Sequence, residues 1–403
     1  MTSPELDVPA ARHVPAARLV PAARLVPAAR AAAAVVALSA AMALAGCGAS
    51  ALPGSAGGQA AAQTSTATVI VHYPTGYGNQ ITLRGSGGGL AWSSGTAAIW
   101  TAGDAWTLTL SLSAAIELKP LFNDSSWASG PNWSLQPGQT LDIWPHFFND
   151  SGTITRIDAF YSNRLQDSRG IWVYLPPSYA ENGNERYPVV YMHDGQNLFY
   201  DQDSFSGVSW NVGGAMDQGA RDGSIHEAIV IGVENDANRI SEYTPVADPA
   251  DGGGGEANYL AFLTDELKPQ MDSNYRTLPG RESTALVGSS LGGLASAWGG
   301  IARPDVFGLI GALSPSTWWD TDWIIGAVAG TKNVYQKPLR AYLDSGDSGP
   351  DNDDVTQTMQ LAQAYRDIGY VEVDHVVEAG GQHAEYWWRQ RVPGALAFLL
   401  GPR

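Results

Sequence analysis

The sequence predicts an α/β protein with a mostly parallel central sheet, preceded by a small all-β sandwich. From about residue 151 onward, apolar runs of strand length alternate with helical stretches, as in βαβ units whose sheet is covered on both faces. From about 67 to 148, short alternating segments are separated by Gly, Pro, Asn and Asp, as in antiparallel sandwiches. The length of 403 residues allows two or three domains.

The composition excludes two classes of protein. The formal net charge is −17. Nucleic-acid binding requires a basic face that releases counterions from phosphate, so no nucleic-acid partner is expected. The single cysteine, Cys47, excludes a disulfide framework and a cysteine-based structural zinc site.

The first 46 residues have the features of a secretory signal. Four arginines precede the apolar run 31–46, which is short for a membrane span and ends in small residues. Leu44-Ala45-Gly46-Cys47 resembles the lipobox of bacterial lipoproteins. This resemblance implies cleavage before Cys47, acylation of that cysteine and an extracytoplasmic, lipid-anchored protein; an ordinary signal peptide is the alternative. Residues 47–66 are small, polar and Gly-rich, which predicts a flexible tether.

The predicted sandwich, 67–148, is rich in tryptophan: Trp92, Trp100, Trp106, Trp127, Trp133 and Trp144. The segment from Leu83 to Asp124 resembles the starch-binding-like and early-set immunoglobulin-like modules that precede many esterases and glycosidases. Two interpretations stay open: some of the tryptophans stack on sugar rings, or they fill the core of a spacer domain.

The second predicted domain, 149–403, contains the candidate catalytic residues. Its strands are expected at 154–161, 170–175, 188–192, 228–233, 284–287, 308–313, 339–343 and 373–377, and its helices at 258–271, 291–302, 354–368 and 384–400.

The strongest chemical signal is Gly288-Ser289-Ser290-Leu291-Gly292, which matches G-x-S-x-G between a predicted strand and a predicted helix. This is the context of a nucleophile elbow in the α/β-hydrolase fold. The flanking glycines permit a strained turn. Ser290 is therefore the predicted nucleophile, and Ser289 is expected to point away from the site.

A serine hydroxyl needs a base that accepts its proton and an acid that orients the base. In this fold the order along the chain is Ser, acid, His. Only His375 and His383 follow Ser290. His375 lies inside a predicted strand, so His383, in the loop before the last helix, is the predicted base.

The acid is expected in the aspartate-rich loop 344–354. Asp344 is expected to turn the chain, Asp347 comes early in the loop, and Asp354-Val-Thr-Gln has the form of a capping box, which predicts that Asp354 caps the next helix. Asp353 is the preferred acid, with Asp351 as the alternative. The spacing does not match a calcium-binding EF-hand.

An oxyanion needs two preorganised N–H donors. The amide of Leu291, directly after the nucleophile, is the first predicted donor. The second is the amide of Gln196, in a loop where Gly195 is expected to permit a sharp turn towards the site. A tight loop without a catalytic donor is the alternative.

These motifs, together with Tyr187–Phe199, Ser209-Trp-Asn, Ser241-Glu-Tyr-Thr-Pro and Gly381-Gln-His, resemble an esterase family over about residues 153–403. The family includes enterochelin, feruloyl and acetylxylan esterases, the esterase D-like S-formylglutathione hydrolase and the mycolyltransferases. The resemblance implies a triad of Ser290, His383 and a loop aspartate, with Gln196 and Leu291 forming the oxyanion hole. The acid loop is longer than the family's common Gly-Thr-x-Glu form, so the resemblance does not select among its aspartates.

The residues and the resemblance together predict a serine carboxylic-ester hydrolase that needs no cofactor or metal. Its substrate would be an extracytoplasmic ester such as a siderophore or an acylated carbohydrate. Trp318, Trp319 and Trp323 follow a strand at the sheet edge where ligands bind, so they either wall a pocket or pack in the core. Two alternatives stay open: an acyltransferase of the mycolyltransferase type, and a carbohydrate-binding surface protein with a vestigial hydrolase domain.

Overall fold

A computed structural model of the chain describes residues 63–331, 340–370 and 372–402. The signal peptide expected at 1–46, the acylated Cys47 and most of the tether expected at 47–66 lie outside these ranges. Within them, no helix is long and apolar enough to cross a membrane.

Two β-sheets pack on a shared core at the N-terminal end of the described chain, with Val69, Val71, Leu83 and Leu118 among the buried residues. The strands are β1 (Ser65–His72), β2 (Ile81–Gly85), β3 (Thr96–Ala97), β4 (Ile99–Thr101), β5 (Ala105–Leu112), β6 (Ile116–Phe122), β7 (Ser126–Trp127), β8 (Trp133–Leu135) and β9 (Thr140–Ile143). One sheet has the order β4-β5-β1-β9 and the other β3-β2-β6-β7, with β8 paired to β6.

The expectation of a purely antiparallel sandwich is wrong at one edge, because β1 and β9 are parallel. The chain reaches β9 only after passing through the second sheet. Alternation of apolar residues predicts strands but not the direction in which distant strands pair.

The tryptophans of the sandwich divide between core and surface. Trp106 is buried, and its Nε1 donates a hydrogen bond to the carbonyl oxygen of Tyr73 (3.2 Å). Trp92, Trp100 and Trp127 are exposed. Core packing therefore accounts for Trp106 but not for these three.

The second part of the chain forms an eight-stranded sheet of order β10-β11-β13-β12-β16-β17-β18-β19. Its strands are β10 (Thr153–Ser162), β11 (Asp167–Leu175), β12 (Val189–Met192), β13 (Ile229–Val233), β16 (Thr284–Ser290), β17 (Leu309–Pro315), β18 (Arg340–Gly346) and β19 (Glu372–Glu378); β14 (Ala247–Asp248) and β15 (Gly252–Gly253) form a separate hairpin. The pairs β10–β11 and β11–β13 are antiparallel and the others are parallel. The predicted α/β-hydrolase fold is confirmed.

Helices cover both faces of this sheet. They are α1 (Val212–Asp222), α2 (Arg239–Glu242), α3 (Glu256–Ala261), α4 (Lys268–Asn274), α5 (Leu291–Ala302), α6 (Trp323–Ala329), α7 (Val355–Asp367) and α8 (Glu385–Leu400), with a π-helical segment, Phe262–Leu267, joining α3 to α4. Along β12, Val189 and Tyr191 pack in the core with α5 and α7, whereas Val190 and Met192 pack in the core with α1 and α8. Burial on both faces explains why the central strands are continuously apolar.

The sequence predicts the long elements well and misses three helices, α1, α2 and α6. Helix α2 is a single turn of four residues. Helix α1 contains three glycines, which lower helix propensity. Helix α6 has the sequence WIIGAVA, a short apolar run that periodicity alone cannot distinguish from a strand.

Candidate active site

Ser290 lies at the sharp turn between β16 and α5. Its backbone angles are φ 57° and ψ −125°, a region that non-glycine residues rarely occupy and that is typical of functional sites. Gly288 cannot be larger, because a Cβ there would lie 2.5 Å from the carbonyl oxygen of Gly292. The strained strand–turn–helix geometry is that of a nucleophile elbow.

The Ser290 hydroxyl contacts His383, in the loop between β19 and α8. The distance from Ser290 Oγ to His383 Nε2 is 2.9 Å, and His383 Nδ1 lies 2.8 Å from Asp353 Oδ1. Ser289 is buried, and in the described part of the chain no hydrogen bond joins it to His383. The structure therefore brings together the three residues predicted as a triad.

Asp353 belongs to a short left-handed turn. Asp351, Asn352, Asp353 and Asp354 have φ angles of 51–52°, which L-residues generally avoid and which Asp and Asn tolerate best after glycine. The Asp-Asn-Asp-Asp sequence is therefore suited to this backbone. Because this turn contains three aspartates, the sequence alone does not select which of them orients His383.

The Asp353 carboxylate is buried and accepts hydrogen bonds on both oxygens. Oδ1 faces His383, while Oδ2 accepts from the Ser314 hydroxyl (2.6 Å) and from the backbone N–H of Gly346 (2.5 Å). Burial acts to raise the pKa of Asp353, but the hydrogen bonds from His383, Ser314 and Gly346 outweigh it and lower the pKa. Asp353 is therefore ionised at neutral pH and suited to orient an imidazole.

Two expectations about the neighbouring aspartates are wrong. Asp354 makes no side-chain capping bond to α7, because its left-handed backbone differs from the extended form of an N-cap. Its Oδ2 instead accepts a hydrogen bond from Thr317 Oγ1 (3.3 Å). Asp344 does not turn the chain; it is a fully buried residue within β18. Asp351 is exposed.

The loop that contains Gln196 differs in detail from expectation. The left-handed residue is Asp194 (φ 57°), not Gly195. Gly195 is needed for close packing, since a Cβ there would lie 2.7 Å from the carbonyl carbon of Gly232 in β13. Arg239 fixes the loop through paired 2.8 Å bonds to the Asp194 carboxylate. Gln196 lies in the cleft beside Ser290 and His383.

His193, next to this loop, is structural. It is buried, and its Nδ1 lies 3.0 Å from the Tyr259 hydroxyl. Burial lowers its pKa to about 4, so its ring is neutral at physiological pH. Among the residues that the structure describes, no three His, Cys, Asp or Glu side chains converge as metal ligands.

A cleft of about 400 Å³ opens over Ser290 and His383, lined also by Gln196, Phe205, Arg239, Glu385 and Trp388. The predicted pocket tryptophans are not part of this lining. Trp319 is buried and donates to the Val246 carbonyl oxygen (2.8 Å), and Trp323 packs on Trp298; both belong to the core, whereas Trp318 is exposed.

The sequence did not predict the roles of several residues around Ser290, His383 and Asp353. Ser314, Asp344, Trp388 and Arg391 lie behind Asp353 and His383, and Ser316 Oγ lies 3.3 Å from Ser290 Oγ. These residues come from β17 and the segment after it, from β18 and from α8, and they form no local motif, so the sequence contained no signal that could group them.

Three curated relatives are similar to this chain. It is 27% identical over 258 residues to Uncharacterized protein YbbA of Bacillus subtilis, covering 60% of this chain and 96% of that protein. It is 28% identical over 206 residues to the endo-1,4-beta-xylanase/feruloyl esterase of Xylanibacter ruminicola, covering 49% of this chain and 26% of that protein. It is 23% identical over 285 residues to the iron(III) salmochelin esterase of Escherichia coli, covering 66% of this chain and 62% of that protein. The chain thus spans less than two thirds of the last two proteins.

The family model described as "Putative esterase" matches residues 162–399. This match spans more than half of the chain and includes the elbow, the acid loop and the histidine loop. The chain belongs to this esterase family and is a carboxylic ester hydrolase.

Proposed function

We propose that this esterase works through a Ser290–His383–Asp353 triad and an acyl-enzyme intermediate. The observation that carries the proposal is the continuous line of contacts from Ser290 Oγ through His383 to Asp353 Oδ1, at 2.9 and 2.8 Å. Such a line lets one base receive the serine proton while a fixed carboxylate stabilises the resulting imidazolium.

In this mechanism, His383 Nε2 takes the proton of Ser290 as Oγ attacks the carbonyl carbon of the ester. The imidazolium then protonates the leaving oxygen, so that the alcohol departs and the acyl group stays on Oγ. His383 next takes a proton from water, whose oxygen attacks the acyl carbon. The acid is released as the proton returns to Ser290.

The N–H groups of Leu291 and Gln196 are assigned to the oxyanion hole. Leu291 is the first residue of α5, and Gln196 is the second residue of the short helical turn Gly195–Asn197. N–H groups at these positions have no acceptor within their own helix, and the N-terminus of the 12-residue α5 also favours negative charge at Leu291.

The substrate is proposed to be a siderophore ester or an acylated carbohydrate. The names of two relatives, a salmochelin esterase and a feruloyl esterase, support this class. Phe205 also supports it: this side chain borders the cleft and is 89% exposed, which provides an aromatic face at the rim.

The proposed organisation is a signal peptide at 1–46, a tether at 47–66, a sandwich at 67–148 and an esterase domain at 149–403. Cys47 is proposed to carry lipid and to anchor the enzyme on the extracytoplasmic side of the membrane. The basis for the anchor is the sequence of residues 31–47, which has the signal features described above.

Labelling with a fluorophosphonate probe tests the triad. The native enzyme and the Ser289→Ala variant should react, and Ser290→Ala should not; labelling of Ser290→Ala would contradict the assignment. Measuring how the acyl group partitions between water and an added sugar distinguishes hydrolysis from acyl transfer.

A further inference from the structure

A buried arginine lies behind the proposed triad acid. Arg391, in α8, has a side chain that is 4% exposed. Its Nη1 lies 3.1 Å from Asp344 Oδ1 and 3.6 Å from Asp353 Oδ2, and its Nε lies 3.5 Å from Glu378 Oε2. The side chains of Asp344 and Asp353 are fully buried. A buried charge without a partner is strongly destabilising, so this arginine and its carboxylates form one electrostatic unit.

Ser314 connects the arginine to the acid. Its Oγ accepts hydrogen bonds from Arg391 Nη2 (2.8 Å) and Trp388 Nε1 (3.0 Å), and it donates to Asp353 Oδ2 (2.6 Å). A hydroxyl has one donor and two acceptor positions. Because arginine and the indole N–H can only donate, they occupy both acceptor positions, and the hydroxyl proton is available only to Asp353.

The two oxygens of Asp353 therefore have different hydrogen-bond partners. Oδ2 is occupied by Ser314 and by the Gly346 N–H, which leaves Oδ1 to face His383. Rotation of this carboxylate would break both bonds to Oδ2 at once.

We infer that Arg391, acting through Ser314, is a positioning residue that orients the carboxylate of the triad acid, and that the buried side chain of Asp344, 3.1 Å from Arg391 Nη1, helps to hold Arg391 in place. This inference rests on the proposed assignment of Asp353. Asp344 supports the arrangement a second time, because its Oδ1 accepts the backbone N–H of Ser314 (3.1 Å).

The test compares Arg391→Met with Arg389→Met. Arg389 lies in the same helix but makes an exposed ion pair with Asp201. With a short p-nitrophenyl ester, Arg391→Met should lower kcat by about 10²-fold, as a misplaced catalytic group does, with KM within about twofold; the effect is on the transition state. Arg389→Met should leave kcat and KM unchanged. An Arg391→Met enzyme with kcat within about threefold of the native value would overturn the inference.

A second variant separates positioning from charge balance. Arg391→Met combined with Asp344→Asn removes the arginine together with the carboxyl group beside it, and the amide oxygen of the substituted side chain can still accept the Ser314 N–H. The melting midpoint should recover relative to the single variant, whereas kcat should stay low. Recovery of kcat would show that Arg391 only balances charge. If Arg391→Met does not fold, this double variant and Ser314→Ala decide the matter, and Ser314→Ala should lower kcat by at least about tenfold.

Asp353→Asn distinguishes failure of this inference from failure of the proposed triad. If Asp353→Asn keeps full turnover, the triad assignment is wrong. If Asp353→Asn is inactive while Arg391→Met is active, only the positioning role is wrong.

Discussion

Asp347 Oδ1 accepts a hydrogen bond from the backbone N–H of Gly380 at 2.6 Å, which joins the acid loop to the histidine loop. A second bond, from the Ser348 N–H to the Gly381 carbonyl oxygen (3.0 Å), reinforces this contact. The two loops follow neighbouring parallel strands, β18 and β19. Their connection fixes the distance over which Asp353 reaches His383.

Asp347→Ala should loosen this connection without removing a catalytic group. We expect kcat within a few-fold of the native value and a melting midpoint lowered by about 2 °C, since one exposed hydrogen bond is lost. Thermal unfolding and ester hydrolysis measure the two effects. Loss of turnover by orders of magnitude would instead indicate that Asp347 acts in the chemistry.

Asp353→Asn should lower kcat by about 10⁴-fold, as loss of the orienting aspartate does in a serine protease. The amide cannot stabilise the imidazolium or select its tautomer in the same way. Asp351→Asn is the matched control, because it lies in the same left-handed turn and Asn tolerates that backbone. If the Asp351 variant loses turnover and the Asp353 variant keeps it, the assignment is reversed.

Asp344→Asn should make stability less dependent on pH. Burial raises the pKa of Asp344 from 3.8 to about 7, so the folded native protein binds its proton more tightly than the unfolded chain. The native protein therefore loses stability as pH rises from about 4 through 7. Urea unfolding at several pH values measures the free energy of unfolding of both proteins. Relative to the native protein, the variant should become more stable as pH rises across this window, and the difference should be constant above it. A difference that does not change with pH would contradict the raised pKa.

Glu181→Gln should weaken the junction between the sandwich and the esterase part. The Glu181 carboxylate accepts backbone N–H bonds from Phe147 (2.7 Å), Phe148 (2.9 Å) and Asn149 (2.7 Å). Bonds to a charged acceptor contribute about 1.5–3 kcal/mol each, and a glutamine retains only one acceptor oxygen. We expect a lower free energy of unfolding and faster proteolysis near 145–150. The exposed Glu282→Gln is the control and should change neither.

Cys47→Ser should release the protein from membranes or stall its processing. Stable anchoring requires more than one acyl chain, which a lipid-modified N-terminal cysteine would provide. The intact mass of the mature protein gives both the cleavage site and the modification. An unmodified Cys47, or cleavage at another position, would remove the anchor from the proposal.

The sequence by itself determined the fold class and predicted two of the three positions of the proposed triad. Strand-length apolar runs between helical stretches are enough to predict a parallel sheet covered on both faces. Ser290 and His383 are also predictable, because the elbow is a local strand–turn–helix motif and only two histidines follow it. The apolar runs and the elbow are local patterns, and the order Ser, acid, His along the chain is general in this fold.

Only the tertiary structure decided what surrounds the acid. The loop offers several aspartates of equal chemistry, and their roles depend on contacts with distant segments. Asp353 is hydrogen-bonded to His383 and Ser314. Asp347 is hydrogen-bonded to Gly380, and Asp344 contacts Arg391. The left-handed turn that contains Asp353 also removes the helix cap expected for Asp354. Hydrogen bonds and ion pairs between residues 30 to 50 positions apart arise from packing, for which a local pattern contains no signal.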